Sequence, residues 1–215
     1  GSGRITMEGT YSWGNGLEFD VKMDAKAAQM QTLTSSPKVR MLFVGGAYYY
    51  DIDPQLSGPL KGKEWMKIDS SAVFGEKGSQ ALNGAGNNQS PVASMKALKY
   101  AGNVDDLGKQ TVDGRSTTHY RATYKGDQLG KLKEAYGDKN NMFNSLTGAD
   151  GTMTMDIWVG SKDLPVRLKQ VMGKVTVTTD FQKWGEAVKI KTPPASQTGD
   201  LTEQLKAAQK NKQQG

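Results

Sequence analysis

The chain contains no cysteine, which excludes disulfides, thiolate metal sites and thiol catalysis and leaves the redox compartment open. It has one histidine, His119, so an imidazole-based zinc or catalytic site would lack a second histidine. Hydrophobic runs are short: nothing approaches the ~18 apolar residues of a membrane span, and no signal peptide is legible. Clustered positive charge is missing too. Net charge is +6, from 28 Lys and Arg against 22 Asp and Glu, but no window gathers five or six basic residues, so no nucleic-acid footprint is indicated. Mild positive charge fits residence near an anionic membrane surface. Proline is scarce, with 7 residues against 26 glycines, a balance suited to many short strands and tight turns. Gly-x-Ser-x-Gly, P-loop and dinucleotide fingerprints are absent; Gly84-Ala85-Gly86 lacks both the preceding strand and the third glycine.

What the chain does have is period-two alternation, clearest between Thr152 and Pro194. Met153, Met155, Ile157 and Val159 share one face, with Thr152, Thr154 and Asp156 on the other. Val166 and Leu168 alternate with charge in the next run, Val175 and Val177 with threonine in the third, and Val188 and Ile190 mark a fourth strand. Such alternation predicts an antiparallel sheet with one apolar and one solvated face. Earlier, Leu17, Phe19, Val21 and Met23 alternate against charge after a Gly14-Asn15-Gly16 turn. Ala28 to Thr34, Val39 to Val44, Ala47 to Ile52 and Trp65 to Ile68 read as further strands. Phe74 to Gln89 reads as loop, rich in glycine and asparagine. Ser90-Pro91 opens a helix carrying Val92, Met95 and Leu98 on one face and stopping at Gly102. Leu107 to Val112 and Arg115 to Tyr124 form a hairpin about Asp113-Gly114. Leu129, Leu132 and Tyr136 suit a short helix, Met142, Phe143 and Leu146 form an apolar cluster, and Leu201, Leu205 and Ala208 mark a terminal helix. With no βαβ alternation, the order predicts an α+β fold: about eleven strands in a strongly curved antiparallel sheet, with two helical insertions.

The inventory of reactive groups is thin. His119 reads as a structural imidazole on a strand. Asp51 and Asp53 share a face and would suit a hard cation, but Pro54 follows and a strand end entering a turn is the simpler reading. Asp105-Asp106 lacks a calcium loop, and Tyr48-Tyr49-Tyr50 splits its rings between two faces. Ten methionines remain, most on apolar faces, serving either as core filling or as the lining of an adaptable cavity.

Several motifs resemble the actinobacterial lipoproteins of the LppX/LprG group, whose fold is shared with LolA, LolB and RseB. They are Val44-Gly45-Gly46-Ala47-Tyr48-Tyr49, Gly62 to Asp69, Val112-Asp113-Gly114 with Thr117 to Tyr120, Met155-Asp156-Ile157-Trp158-Val159, Leu164-Pro165-Val166-Arg167, Asp180-Phe181, Trp184-Gly185 and Pro193-Pro194. They occur in the expected order from Arg4 to about Asp200. The resemblance implies a half-open β-barrel whose concave face is covered by helices, leaving a hydrophobic cavity. It implies a non-catalytic, cell-envelope protein, extracytoplasmic and lipid-anchored, that carries a lipid or other hydrophobic ligand. The alternative is a sensor or interaction module of the same fold that binds a protein partner. On this reading Gly1-Ser2-Gly3 is a cloning scar, residues 4–199 form a single domain and 200–215 a helical or frayed tail. Relatives carry a helix before the first strand, and the membrane-anchoring cysteine would lie upstream. No cofactor, metal or nucleic acid is expected, and the chain is expected to be a monomer. The cavity candidates on the sheet are Phe19, Val21, Met41, Phe43, Met153, Met155, Ile157, Val166, Leu168, Val175 and Val177. Those on the helical cover are Val92, Met95, Leu98, Met142, Phe143 and Leu146, with 75–89 as a gate.

Overall fold

Two tight turns each hold both central residues at positive φ. Gly45 and Gly46, at φ 59° and 77°, join two strands directly, and Asp113 and Gly114 do the same at 49° and 76°. Both are two-residue hairpin turns that need positive φ at each central position. A computed structural model describes residues 6–13, 16–84, 91–96, 98, 101–125, 128, 151–173 and 175–213. The chain divides into two compact units, Gly1–Gly86 with Ala187–Gly215, and Asn87–Glu186.

The first unit is a six-stranded sheet in the order β1-β2-β3-β4-β5-β11. β1 (Met7–Ser12), β2 (Glu18–Asp24), β3 (Lys38–Val44), β4 (Ala47–Asp51) and β5 (Trp65–Asp69) form an antiparallel meander. β11 (Thr198–Asp200) then pairs parallel to β5. Register puts Tyr11, Phe19, Phe43 and Tyr48 on one rung across four strands, with successive ring centroids 5.4, 5.4 and 4.8 Å apart. Each cross-strand aromatic pair contributes about 0.2–1 kcal/mol. Leu42, Val44 and Tyr49 point to the opposite face, where Ile190 packs on them.

Among the described residues, two α-helices complete this unit. α1 (Ser71–Gly84) is kinked at Gly75, and α3 (Thr202–Gln213) lies against it. An aspartate two residues upstream sets each start: Asp69 accepts from Ser71 N–H at 2.8 Å and Asp200 from Thr202 N–H at 2.9 Å. The Gln209 amide donates to Ala72 O at 2.8 Å, and buried Ser70 and Ser79 bond through their hydroxyls.

The second unit is a five-stranded antiparallel sheet ordered β10-β9-β8-β7-β6, with the short helix α2 (Pro91–Lys96). Its strands are β6 (Asn103–Val112), β7 (Arg115–Lys125), β8 (Thr152–Val159), β9 (Pro165–Met172) and β10 (Val175–Asp180). Gly108, at φ 83°, takes up a bulge in β6 between Asp106 and Lys109.

The mostly-sheet α+β reading is found; among the described residues the strands fall in two sheets, of six and five, and not in a closed barrel. Three local expectations are corrected. Residues 28–34 fold into successive turns, because Met30 N–H and Thr34 N–H find partners in Ala25 O and Met30 O, and Met30 and Leu33 pack beside Ile52 and Leu60. Residues 74–84 are helix, because burial of Ala72 and the cover given by α3 outweigh their poor helix propensity. Residues 188–190 run outside any strand; Ile190 N–H is bonded to Glu18 Oε2 at 2.9 Å in place of a ladder. The Gly14-Asn15 turn, the 85–89 part of the expected loop and the 129–136 helix lie outside the described residues.

Candidate functional site

The apolar face of the second sheet assembles the largest group of candidate residues. Register brings Ala122 opposite Met155, Tyr124 opposite Met153, Ile157 opposite Leu168, and Met153 opposite Met172. Ala122, Tyr124, Met153, Met155, Ile157 and Leu168 form one buried cluster, against which Met95, Leu98, Ala101 and Phe181 pack. The face is wider than this cluster. Val175 and Val177 of β10 lie opposite Met172 and Gln170 on the same face yet remain 38% and 43% exposed, and Val104 on β6, opposite Ala122, is 42% exposed. A central methionine-rich strip is therefore flanked on both edges by half-exposed valines. Val166 is buried at the end of β9, and a Cβ on Gly160 would meet its Cγ2 at 2.8 Å.

Phe19, Val21, Met41 and Phe43 belong to a separate cluster in the first unit, with Met23 and Val39, flanked by Tyr11, Tyr48 and Tyr50. Burial, with a smaller contribution from Tyr50, pushes the Tyr48 hydroxyl up to about 12, and burial also raises Tyr11 and Tyr50. The side chain of Val92, and Met142, Phe143 and Leu146, lie outside what the structure describes.

Two open grooves of the first unit are polar. One, of about 610 Å³, is lined by Asp20, Lys22, Arg40, Asp51 and Asp53 among others. Arg40 forks onto Asp20 at 2.7 and 2.9 Å and holds its carboxyl below the usual range, while burial pushes Asp51 up. Asp53 is occupied by Ser35 N–H at 2.6 Å. The other groove, of about 540 Å³, contains the Lys67–Asp200 pair at 2.8 Å. Both are lined by polar and charged residues. Among the described residues no three or more His, Asp or Glu side chains are grouped to hold a metal ion.

The opposite face of the second sheet holds a feature the alternation concealed. Asp156, expected on a solvated face, is 2% exposed. Its Oδ1 bonds both to His119 Nε2, at 2.7 Å, and to Arg121 Nε, at 2.8 Å. The His119 ring stacks on Trp158 with centroids 4.1 Å apart and planes 13° apart, and Trp158 Nε1 donates to Gln110 at 2.8 Å. Arg167 sits over the same indole and forks onto Asp180. A His–Asp contact of this kind suits proton transfer only where substrate can reach it. Here the imidazole is 5% exposed beneath an indole, so the contact serves packing. The Asp156 partnership was detectable in principle: once β7 and β8 pair, His119 faces Trp158 and Arg121 faces Asp156.

No family model matches the chain. In sequence it is similar to an uncharacterised 31.2 kDa protein of Streptomyces griseus encoded between rplA and rplJ, at 25% identity over 94% of this chain and 70% of that protein. It is also similar to a candidate lipoprotein of Streptomyces coelicolor, at 24% identity over 94% of this chain and 66% of that protein. The chain thus spans about two thirds of the length of these relatives. Among solved structures, the Mycobacterium tuberculosis lipoprotein LppX aligns at a TM-score of 0.48 and 14% identity, over 87% of this chain and 86% of that one. LprF from Mycobacterium bovis aligns at 0.45 and 12%, over 88% and 86%. The similarity to actinobacterial lipoproteins read from scattered motifs therefore extends along nearly the whole chain.

Proposed function

We propose that this chain is a non-catalytic, lipid-anchored envelope protein that binds the acyl portion of a lipid or a similar hydrophobic ligand. The observation that carries the reading is the breadth of the second unit's apolar face, where Val104, Val175 and Val177 stay half-exposed beside a buried methionine strip. Valines on both edges extend the face beyond its cluster, and an acyl chain laid along them would remove them from water at ~0.8 kcal/mol per methylene. Met95, Met153, Met155 and Met172 suit a ligand of variable shape, because their unbranched side chains repack at little cost. On the same reading Leu168 and Ile157 form the floor and Leu98 belongs to the cover, while Phe19, Val21, Met41 and Phe43 form a separate apolar cluster of the first unit. Residues 4–199 act as one lipoprotein domain followed by the helical segment that contains α3. Kinship with a candidate lipoprotein supports the envelope setting.

The test is native mass spectrometry, with lipid extraction, of protein expressed and purified from an actinobacterium. The expected result is a bound lipid whose occupancy falls severalfold in Val177→Asp, an exposed position where the charge leaves the fold intact. Ligand-free protein, or undiminished occupancy in that variant, would overturn the proposal. Recovery of a specific protein partner without lipid would favour the sensor reading.

A further inference from the structure

The connection between β4 and β5 holds up a leucine that the fold does nothing to bury. Leu56 is 94% exposed, whereas Val188, another exposed large apolar side chain, reaches 52%. The backbone around Leu56 is closed on itself: Gly62 N–H donates to Gln55 O, Lys61 N–H to Gly58 O and Lys63 N–H to Leu60 O, each at 3.0 Å. Leu60 is buried beside Ile52 and Met66, which pins the far limb of the loop, and Pro54 and Pro59 fix two φ angles within it. Leu56 therefore stands on a turn that resists folding back. Between Asp53 and Glu64 the loop carries Lys61 and Lys63 and no carboxylate. The Lys63 ammonium is bonded to Ser196 O at 2.8 Å, whereas Lys61 is exposed and in no ion pair among the described residues.

We infer that this loop rests on an anionic lipid bilayer, with Leu56 in the interface and Lys61 among the headgroup phosphates. A lone apolar tip flanked by lysine is far too small for a stable protein interface, which needs roughly 800 Å² per partner. Insertion into a bilayer asks only for an apolar side chain and attraction to anionic lipid. One leucine gives marginal affinity by itself, so the loop sets the orientation of a protein held at the membrane by other means. The inference rests on the proposed membrane anchoring but not on a lipid occupying the second unit's apolar face, so loop insertion and ligand binding can each fail alone.

Because the chain has no cysteine, Leu56→Cys offers a unique site for a polarity-sensitive fluorophore, with Val188→Cys as the control. Each labelled protein is held by a C-terminal hexahistidine tag on vesicles that carry a nickel-chelating lipid in either 70:30 phosphatidylcholine–phosphatidylglycerol or phosphatidylcholine alone, so that the readout is insertion of the loop and not recruitment of the protein. The expected result is a blue shift at position 56 only, with anionic vesicles only, weakened about fivefold by Lys61→Ala and further by added salt. Unchanged emission at position 56, or an equal shift at position 188, would overturn the inference. So would a shift that follows protein concentration without vesicles, which would mean that a second copy of the chain covers the loop.

Discussion

Replacing Asp156 with alanine removes the acceptor shared by His119 and Arg121. The consequences differ for the two donors. Arg121 is 46% exposed in its side chain and regains water, so its loss amounts to about 0.2–1 kcal/mol. His119 is 7% exposed in its side chain and its Nδ1 has no partner among the described residues, so Asp156→Ala leaves both ring nitrogens buried without a bond there. Leaving a buried polar group without its partner costs about 1–3 kcal/mol. The ring keeps its stacking on Trp158, which limits the further loss. The sum is about 1–4 kcal/mol, against the 5–15 kcal/mol that holds a domain of ordinary stability together. With a urea m value near 2 kcal/mol per M, the midpoint should fall by roughly 0.5–2 M. Tryptophan emission and far-UV circular dichroism should be followed together, since coincident transitions license the two-state treatment. The double variant His119→Phe/Asp156→Leu removes both polar partners while keeping a ring against the indole, and should regain at least half the loss. A single-variant cost below 1 kcal/mol, or a double variant as unstable as the sum of its parts, would show that the carboxylate is solvated and refute the account.

Other consequences can be checked more simply. A Cβ on Gly9 would sit 2.1 Å from the backbone oxygen of Asp20, so Gly9→Ala should push β1 off β2, with hydrogen exchange at 7–12 rising at least tenfold while the second unit keeps its protection. Burial pushes the Tyr48 hydroxyl up to about 12. It therefore stays neutral in the fold while the unfolded chain ionises near the ordinary ~10, and about 3 kcal/mol of stability, fully present below pH 10, is lost as pH rises through 12. Absorbance at 295 nm should show a late-ionising tyrosine that disappears in Tyr48→Phe.

The hairpins were legible in the sequence because their signals are local: Asp113-Gly114 and Gly45-Gly46 can adopt the positive φ that other residues avoid. The alternation of β8 to β10 was legible for the same reason, and Met153, Met155, Ile157 and Leu168 do share one buried cluster. What escaped depends on neighbours distant in the chain. Helix α1 looks like loop until Gln209 and Lys206 of α3 are placed against it. The segment around Ile190 alternates like a strand, but Glu18, from far earlier in the chain, takes its backbone donor. Asp156 reads as a surface aspartate until strand pairing puts Arg121 beside it and His119 within reach. Period two assigns a face. It does not say whether that face meets water.

The second unit interrupts the first: the chain leaves after α1 and returns only at residue 187. Three bonds then tie the return to β5 and the residues just before it, Lys63 to Ser196, Lys67 to Asp200, and Asp69 to Thr202, each spanning 133 positions. During synthesis the edge of β5 must therefore wait for β11 until all the intervening chain has been made, about 7–27 s at the usual pace of elongation. An unpaired strand edge is the feature through which nascent chains find one another. Strand β11, only three residues long, thus acts as the closing latch of a fold whose first five strands are made long before it. A chain ending before Thr198 would keep that edge bare and should aggregate, however well its second unit has folded.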